Sequence, residues 1–267
     1  MPPPVETIAT VLSAIPYGET SRIAKLATRE LGVVSVIAKG ARRPKSKFGA
    51  SLQLLTEGQA TIHLARHSDL HTLSAFDLTD VRDALGTGME RYAAASLLGE
   101  LMLRFSPHER QLELYDFFAH SLSVLEGVDD DTAAMVGLRA IWGLVKRLGF
   151  APSLRVCPRD GSVVAWEPGP VAFSPSHGGV LCPICAGGVE TSRLTARDLT
   201  DLEVLVHGHD DLPSLSDRYL AAHRRLLDRY LRAHLAEGLA LPALAFWTER
   251  AWRQGSGAGG VGAGSTR

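Results

Sequence analysis

The apolar periodicity of this chain changes once, near residue 83, and that change limits what can fold on either side of it. Before it the pattern is that of short strands. Val5 to Ile15 is rich in β-branched residues and ends at the turn signal Pro16-Tyr17-Gly18. Gly32, Gly40 and Gly58 punctuate the next segments. Residues 51–65 alternate loosely through Leu52, Leu54, Ile62 and Leu64, and residues 70–78 add Leu70, Leu73, Phe76 and Leu78. About five short strands in under 80 residues predict a small barrel, which hides its edges by closing. One segment resists: in residues 21–31, Ile23, Leu26, Ala27 and Leu31 have helical spacing, and local periodicity alone gives a helix.

After residue 83 the spacing is that of buried helix faces. Ala93, Ala94, Leu97, Leu98, Leu101 and Met102 repeat at three and four. Ser106-Pro107-His108-Glu109 predicts the start of a second helix with Leu112, Tyr115, Phe118 and Ala119 on its apolar face. A third is expected from about Thr132 to Leu148, stopped by Gly149. Residues 151–190 are irregular and hold all three cysteines. The capping box Thr195-Ala196-Arg197-Asp198 restarts helix, and a long helix over about 216–236 carries Arg218, Arg224, Arg225, Arg229 and Arg232. Arg218, Arg224, Arg225 and Arg229 are expected to be the solvated face of this helix, with an extension of a phosphate-tracking basic surface as the alternative. The Gly/Ala/Ser tail, 254–267, cannot bury enough surface to order itself.

Composition excludes some classes. With 267 residues the chain can form two domains with real cores, and its 45% apolar and 21% charged residues are ordinary for a globular protein. No apolar run reaches the roughly 18 residues of a membrane helix. Met1-Pro2-Pro3-Pro4 lacks the features of a signal peptide, and three cysteines do not make a disulfide framework, so the expected compartment is the cytoplasm.

The net charge is only −1, but the distribution is uneven. Residues 22–67 hold nine Lys/Arg (Arg22, Lys25, Arg29, Lys39, Arg42, Arg43, Lys45, Lys47 and Arg66) against two acids, Glu30 and Glu57. Five of the nine fall in the loop 39–47, directly after the apolar run Val33 to Ala38. A basic loop leaving a rigid strand suits a phosphate backbone, because the strand fixes its position and the cations displace condensed counterions. Lys39, Arg42, Arg43, Lys45 and Lys47 are the first candidates, followed by Arg22, Lys25, Arg29 and Arg66. Aromatics for base stacking are scarce near this loop: Tyr17 and Phe48 are available, and each suits core packing equally well.

Cys182-Pro183-Ile184-Cys185, set between Gly178-Gly179 and Gly187-Gly188, has the form of a zinc knuckle. Its partner half is Cys157-Pro158-Arg159-Asp160-Gly161, where Asp160 stands in place of a second cysteine. The expected ligands of a structural zinc are Cys157, Cys182 and Cys185, with Asp160 or His177 as the fourth. A redox role needs a helix after the first cysteine, which Gly187-Gly188 disfavours. His63, His67 and His71 would align only on a helix, and His207-Gly208-His209-Asp210-Asp211 falls where a helix ends, so neither set makes a convincing metal site. No phosphate-binding glycine loop or nucleophile elbow is present, and no enzymatic activity is expected.

The order of parts is specific. Tyr17-Gly18-Glu19-Thr20-Ser21, Thr28-Arg29-Glu30-Leu31-Gly32, Ala38 to Ser46, Gly99-Glu100-Leu101, Leu148-Gly149-Phe150-Ala151-Pro152-Ser153-Leu154 leading to Cys157, and Gly178-Gly179 ahead of Cys182 together resemble the RecO family of bacterial recombination mediators over about residues 5–250. The resemblance implies an α+β chain: an OB-fold barrel in 1–81, with 21–29 as its second strand, then an all-α domain in 82–253 carrying a zinc-knuckle-like insertion, 154–190. It also implies binding of single- and double-stranded DNA, strand annealing, a partnership with RecR, contact with the C-terminal tail of the single-strand-binding protein, and indirect service to RecA, in the cytoplasm at the nucleoid. Asp160 departs from the family's cysteine pattern. A protein-interaction scaffold whose basic loop is incidental is the competing expectation, and a hydrolase at His207 and His209 the weakest.

Overall fold

The computed structural model describes residues 3–49, 51–107, 109–208, 215–235 and 239–250. The tail, and His209 to Asp211 of the histidine motif, lie outside the described residues.

Five strands close into a barrel in the order β1-β2-β3-β5-β4: β1 (Val5–Tyr17), β2 (Ser21–Thr28), β3 (Gly32–Ala38), β4 (Glu57–His63) and β5 (Leu70–Asp80). Only β3 and β5 run parallel. Closure depends on β1, whose first half pairs with β4 and whose second half pairs with β2. An irregularity between Val11 and Ser13 bends it from one neighbour to the other. Alternate residues point inward, and Ala9, Val11, Ala24, Leu26, Val36, Ala38, Ala60, Ile62, Leu73 and Phe76 fill the interior.

Residues 21–28 are strand, against their local spacing. Leu26 fills the barrel while its neighbour Ala27 packs outward into the helical core. A strand covered on both faces shows adjacent apolar residues instead of alternation, which imitates a helix. Leu52 and Leu54 belong to turns before β4 rather than to a strand, and Gly58 lies inside β4 beneath the Phe76 ring instead of marking a boundary.

The helical part contains α1 (Met89–Phe105), α2 (Leu112–Gly127), α3 (Asp130–Arg147), α4 (Ala196–His207), α5 (Asp217–His234) and α6 (Pro242–Glu249). Ser106 does not cap α2. Its amide closes α1 on Met102 O, and α2 begins after Gln111. The strip between them lies against the β2–β3 turn, where a Cβ on Gly32 would come 3.1 Å from Pro107 O. The expected stop at Gly149 is observed: its φ is +90°, its amide donates to Lys146 O, and Phe150's amide reaches back to Val145 O. Asp129 caps α3, and the Thr195–Asp198 capping box opens α4. Between α3 and α4 lies a small sheet that the sequence does not announce, β7 (Gly179–Leu181), β6 (Val171–Ser174) and β8 (Ser192–Leu194) in that order. No described helix is long and apolar enough to cross a membrane.

The two parts share one core. Leu12, Ala27, Val33 and Leu55, on the outer surface of the barrel, are buried with Leu97, Leu98 and Leu101 of α1. Arg82, buried at the junction, donates to Glu57 of β4 and to Ser123 and Glu126 of α2 at 2.9–3.1 Å. Burial holds the Glu126 carboxyl above its ordinary pKa despite this partner.

Candidate nucleic-acid interface and metal centre

β1, β2 and β3 present an outer face that α1 covers only in part. Cross-strand pairing sets Ile15 beside Ile23 and Ile23 beside Ile37. Ile15 is 59% exposed, Ile23 and Ile37 are partly covered, and Tyr17, two residues beyond Ile15, is 53% exposed. The period of two places Lys25 and Lys39 on this same face. An aliphatic row beside one tyrosine, bordered by cations, is a surface that sequence reasoning missed. Its only signal is Ile15, Ile23 and Ile37 on the polar side of an otherwise alternating pattern.

The basic loop is folded back against the β1–β2 turn, where Tyr17 ends β1. Ala41 and Phe48 anchor it in the barrel interior, Arg42's amide donates to Thr20 O, and its Nη1 donates to Gly18 O at 3.0 Å. The loop therefore lies against the β1–β2 turn beside Tyr17. Phe48, only 2% exposed, is a core residue and not a stacking platform. Lys25, Lys39, Arg42, Arg43, Lys45, Lys47 and Arg66 are exposed, and none forms an ion pair with a described residue. The other two cations differ. Arg29 forms a two-bond fork on Asp116 of α2 at 2.7 and 3.0 Å, which raises its pKa and lowers that of Asp116. Arg22 has inward parity and donates to Leu52 O. These seven exposed cations outnumber the acids near them, Glu19 of the β1–β2 turn and Asp69, which lines a cleft together with Lys25, and so give a local positive field on a nearly neutral molecule.

The insertion brings Cys157, Asp160, Cys182 and Cys185 together, with one donor atom from each lying within 4.8 Å of all the others. Two turns build the group. In the first, Gly161's amide returns to Cys157 O and the Cys157 amide donates to Ser162 O. In the second, Cys185's amide donates to Cys182 Sγ at 3.3 Å. Asp160 Oδ2 accepts from Cys182 and Cys185 Sγ at 3.1 and 3.3 Å. In a zinc tetrahedron with bonds of about 2.0–2.3 Å, sulfur–oxygen edges are about 3.5 Å, so this donor set fits a metal ion. Ser162's amide and hydroxyl hold the Asp160 carboxyl well below the usual carboxylate range, whereas desolvation and then Asp160 itself push the Cys185 thiol up to about 12. His177, the other expected fourth donor, is not part of this group, and its Nδ1 lies 3.0 and 3.3 Å from the Ser174 and Ser176 hydroxyls. Turns, not a helix, follow Cys182 and Cys185, which removes the structural basis of a redox motif.

His63 and His71 stand on different strands with a turn between them, so the spacing of the histidine triplet does not build a site. His207 ends α4 with Nδ1 3.0 Å from Lys146 Nζ.

Comparison with known proteins matches residues 1–82 to the family model "Recombination protein O N terminal" and residues 87–241 to "Recombination protein O C terminal". This chain belongs to the RecO family of DNA repair proteins. Among similar RecO proteins, that of Anaeromyxobacter dehalogenans (strain 2CP-C) is 34% identical over 246 residues, covering 88% of this chain and 93% of the relative. The RecO of Symbiobacterium thermophilum is 33% identical over 223 residues, 81% and 87% of the two chains. The RecO of Exiguobacterium sibiricum is 36% identical over 175 residues, 64% and 66% respectively. The match to the two family models spans both the barrel with its basic loop and the helices with their cysteine insertion.

Proposed function

We propose that this RecO-family protein is a non-catalytic DNA-binding recombination mediator whose barrel holds DNA chiefly by its phosphates. The observation that supports this most is the set of seven exposed barrel cations that form no ion pair with a described residue, five of them in the loop that follows β3. Lys39, Arg42, Arg43, Lys45 and Lys47 form the first contact and Lys25 and Arg66 extend it, while Arg22 and Arg29 serve the fold. Ile15, Ile23, Ile37 and Tyr17 give splayed bases an apolar surface, so single strands gain contacts that a closed duplex cannot make. In the role the family likeness suggests, the protein anneals complementary strands and, with RecR, helps place RecA on strands coated by the single-strand-binding protein.

The test is titration of a fluorescent single-stranded oligonucleotide at several salt concentrations. Log affinity should fall linearly with log salt, by about 0.7 per phosphate contact. Charge reversal at Arg42 and Arg43 should weaken binding and make the slope shallower. Tyr17→Ala should instead weaken single-strand binding by about 1–3 kcal/mol and leave the slope unchanged. Full binding by a folded R42E/R43E variant, with the slope unaltered, would make the basic loop incidental and overturn the barrel as the DNA contact.

Zinc is the metal this donor set suits, held by Cys157, Asp160, Cys182 and Cys185. Its chemistry there is structural: it ties the 157–162 turn to the 182–185 turn.

A further inference from the structure

Helix α5 carries a second basic surface. Arg218, Arg225, Arg229 and Arg232 are all exposed, and their spacings of seven, four and three place them on one helical stripe. Arg193 of β8 faces the same region. Between β8 and α5 lie two adjoining clefts of about 220 and 360 Å³ that share Ser192 and Arg229. The first is also lined by Arg193 and Arg225, and the second by Arg232. Arg229 is fixed by a 2.8 Å hydrogen bond to Ser192 Oγ. Arg232 pairs with Asp228 at 2.9 Å. Arg193, Arg218 and Arg225 form no ion pair with any described residue. Two carboxylates also line the clefts: Glu190, and Asp198, which is engaged by the Thr195 amide and hydroxyl.

We infer that this groove is a second nucleic-acid site, holding a strand by its phosphates independently of the barrel. Arg225, Arg229 and Arg232 span about 10 Å of helix axis, so the stripe follows a backbone rather than one isolated anion. Guanidinium groups grip phosphate with paired donors. Ser176, Thr191 and Ser192 add polar groups to the walls. The consequence rests on the barrel reading: a molecule with two separate phosphate-holding surfaces can carry two strands at once, which is what bringing complements together requires.

The experiment compares four full-length proteins, wild type, R42E/R43E, R193E/R225E and the quadruple variant, by salt titration of a fluorescent non-complementary oligonucleotide, with circular dichroism to verify folding. The substituted side chains are exposed, so each variant should fold. R42E/R43E should retain residual low-salt binding that is further weakened in the quadruple variant, and R193E/R225E should flatten the wild-type slope by about 1.4 on the loss of two phosphate contacts. Residual binding as strong in the quadruple variant as in R42E/R43E overturns the second site, as does its complete absence from R42E/R43E. Wild-type affinity in R42E/R43E instead refutes the barrel reading alone. The groove is then judged by R193E/R225E, where loss of binding supports it and retention overturns it.

Discussion

Arg224 and Arg225 are neighbours in the chain with opposite environments. Arg225 is exposed, whereas Arg224 is 2% exposed, donates to Glu90 Oε2 at 2.8 Å and stacks on Trp247 at 4.2 Å. Glu90 is equally buried and also accepts from Arg250. Reading the α5 arginines as one wet face was therefore wrong for Arg224. The signal was present: Leu220, Arg224, Leu227 and Leu231 stand at steps of four, three and four, so Arg224 occupies an apolar stripe. What the sequence cannot show is Glu90, 134 residues away, which makes that burial tolerable. Removing one member of a buried pair leaves the other charge uncompensated, at a cost of about 3–5 kcal/mol. Arg224→Ala and Glu90→Gln should each lower urea-unfolding stability by that order, while Arg225→Glu stays within about 0.5 kcal/mol. Equal stability of Arg224→Ala and Arg225→Glu would mean that the pair contributes nothing.

At the scale of elements, legibility followed how local the determining contacts are. The Thr195 capping box, the Gly149 terminator and the basic loop are set by a few adjacent residues and could be read directly. The start of α2 could not, because Pro107 and Glu109 lie against a barrel turn some 75 residues earlier in the chain. β6, β7 and β8 were also hidden, since strands of three or four residues are too short to show a period. The cysteine turns were legible as a group, and the choice of Asp160 over His177 needed coordinates. These turns carry their own prediction. Protein purified under zinc-replete conditions should contain about one zinc per chain by elemental analysis, and Cys182→Ser should lose it together with several degrees of thermal stability. Asp160→Cys should hold zinc more tightly against a chelator, because a thiolate is the softer ligand. Zinc-free wild-type protein, or metal content indifferent to Cys182→Ser, would rule the site out.

Over the whole molecule, the barrel was legible in the strand pattern and the helices in their spacing, but their joint was not. Leu12, Ala27 and Val33 look like ordinary strand residues until α1 is placed on them, and Arg82 reads as a linker cation until Glu57 and Glu126 surround it. The shared core makes one cooperative unfolding unit the natural expectation, so a buried titratable group in one part should register in the stability of the whole. His223 of α5 is such a group. It is 3% exposed, and neither ring nitrogen has a hydrogen-bond partner among the described residues. Burial lowers its pKa below the ordinary value, although Asp201 and Asp198 of α4 act in the opposite sense. The folded protein therefore binds fewer protons at this position than the unfolded chain does. Stability from the neutral ring is complete above the unfolded pKa of about 6.5 and declines as pH falls towards the lower folded value. Urea midpoints should consequently drop between pH 7.5 and 5.5. His223→Leu, which cannot titrate, should flatten that part of the profile whatever it does to stability at neutral pH. An unchanged slope in the Leu variant would show that acid sensitivity in this window comes from other groups.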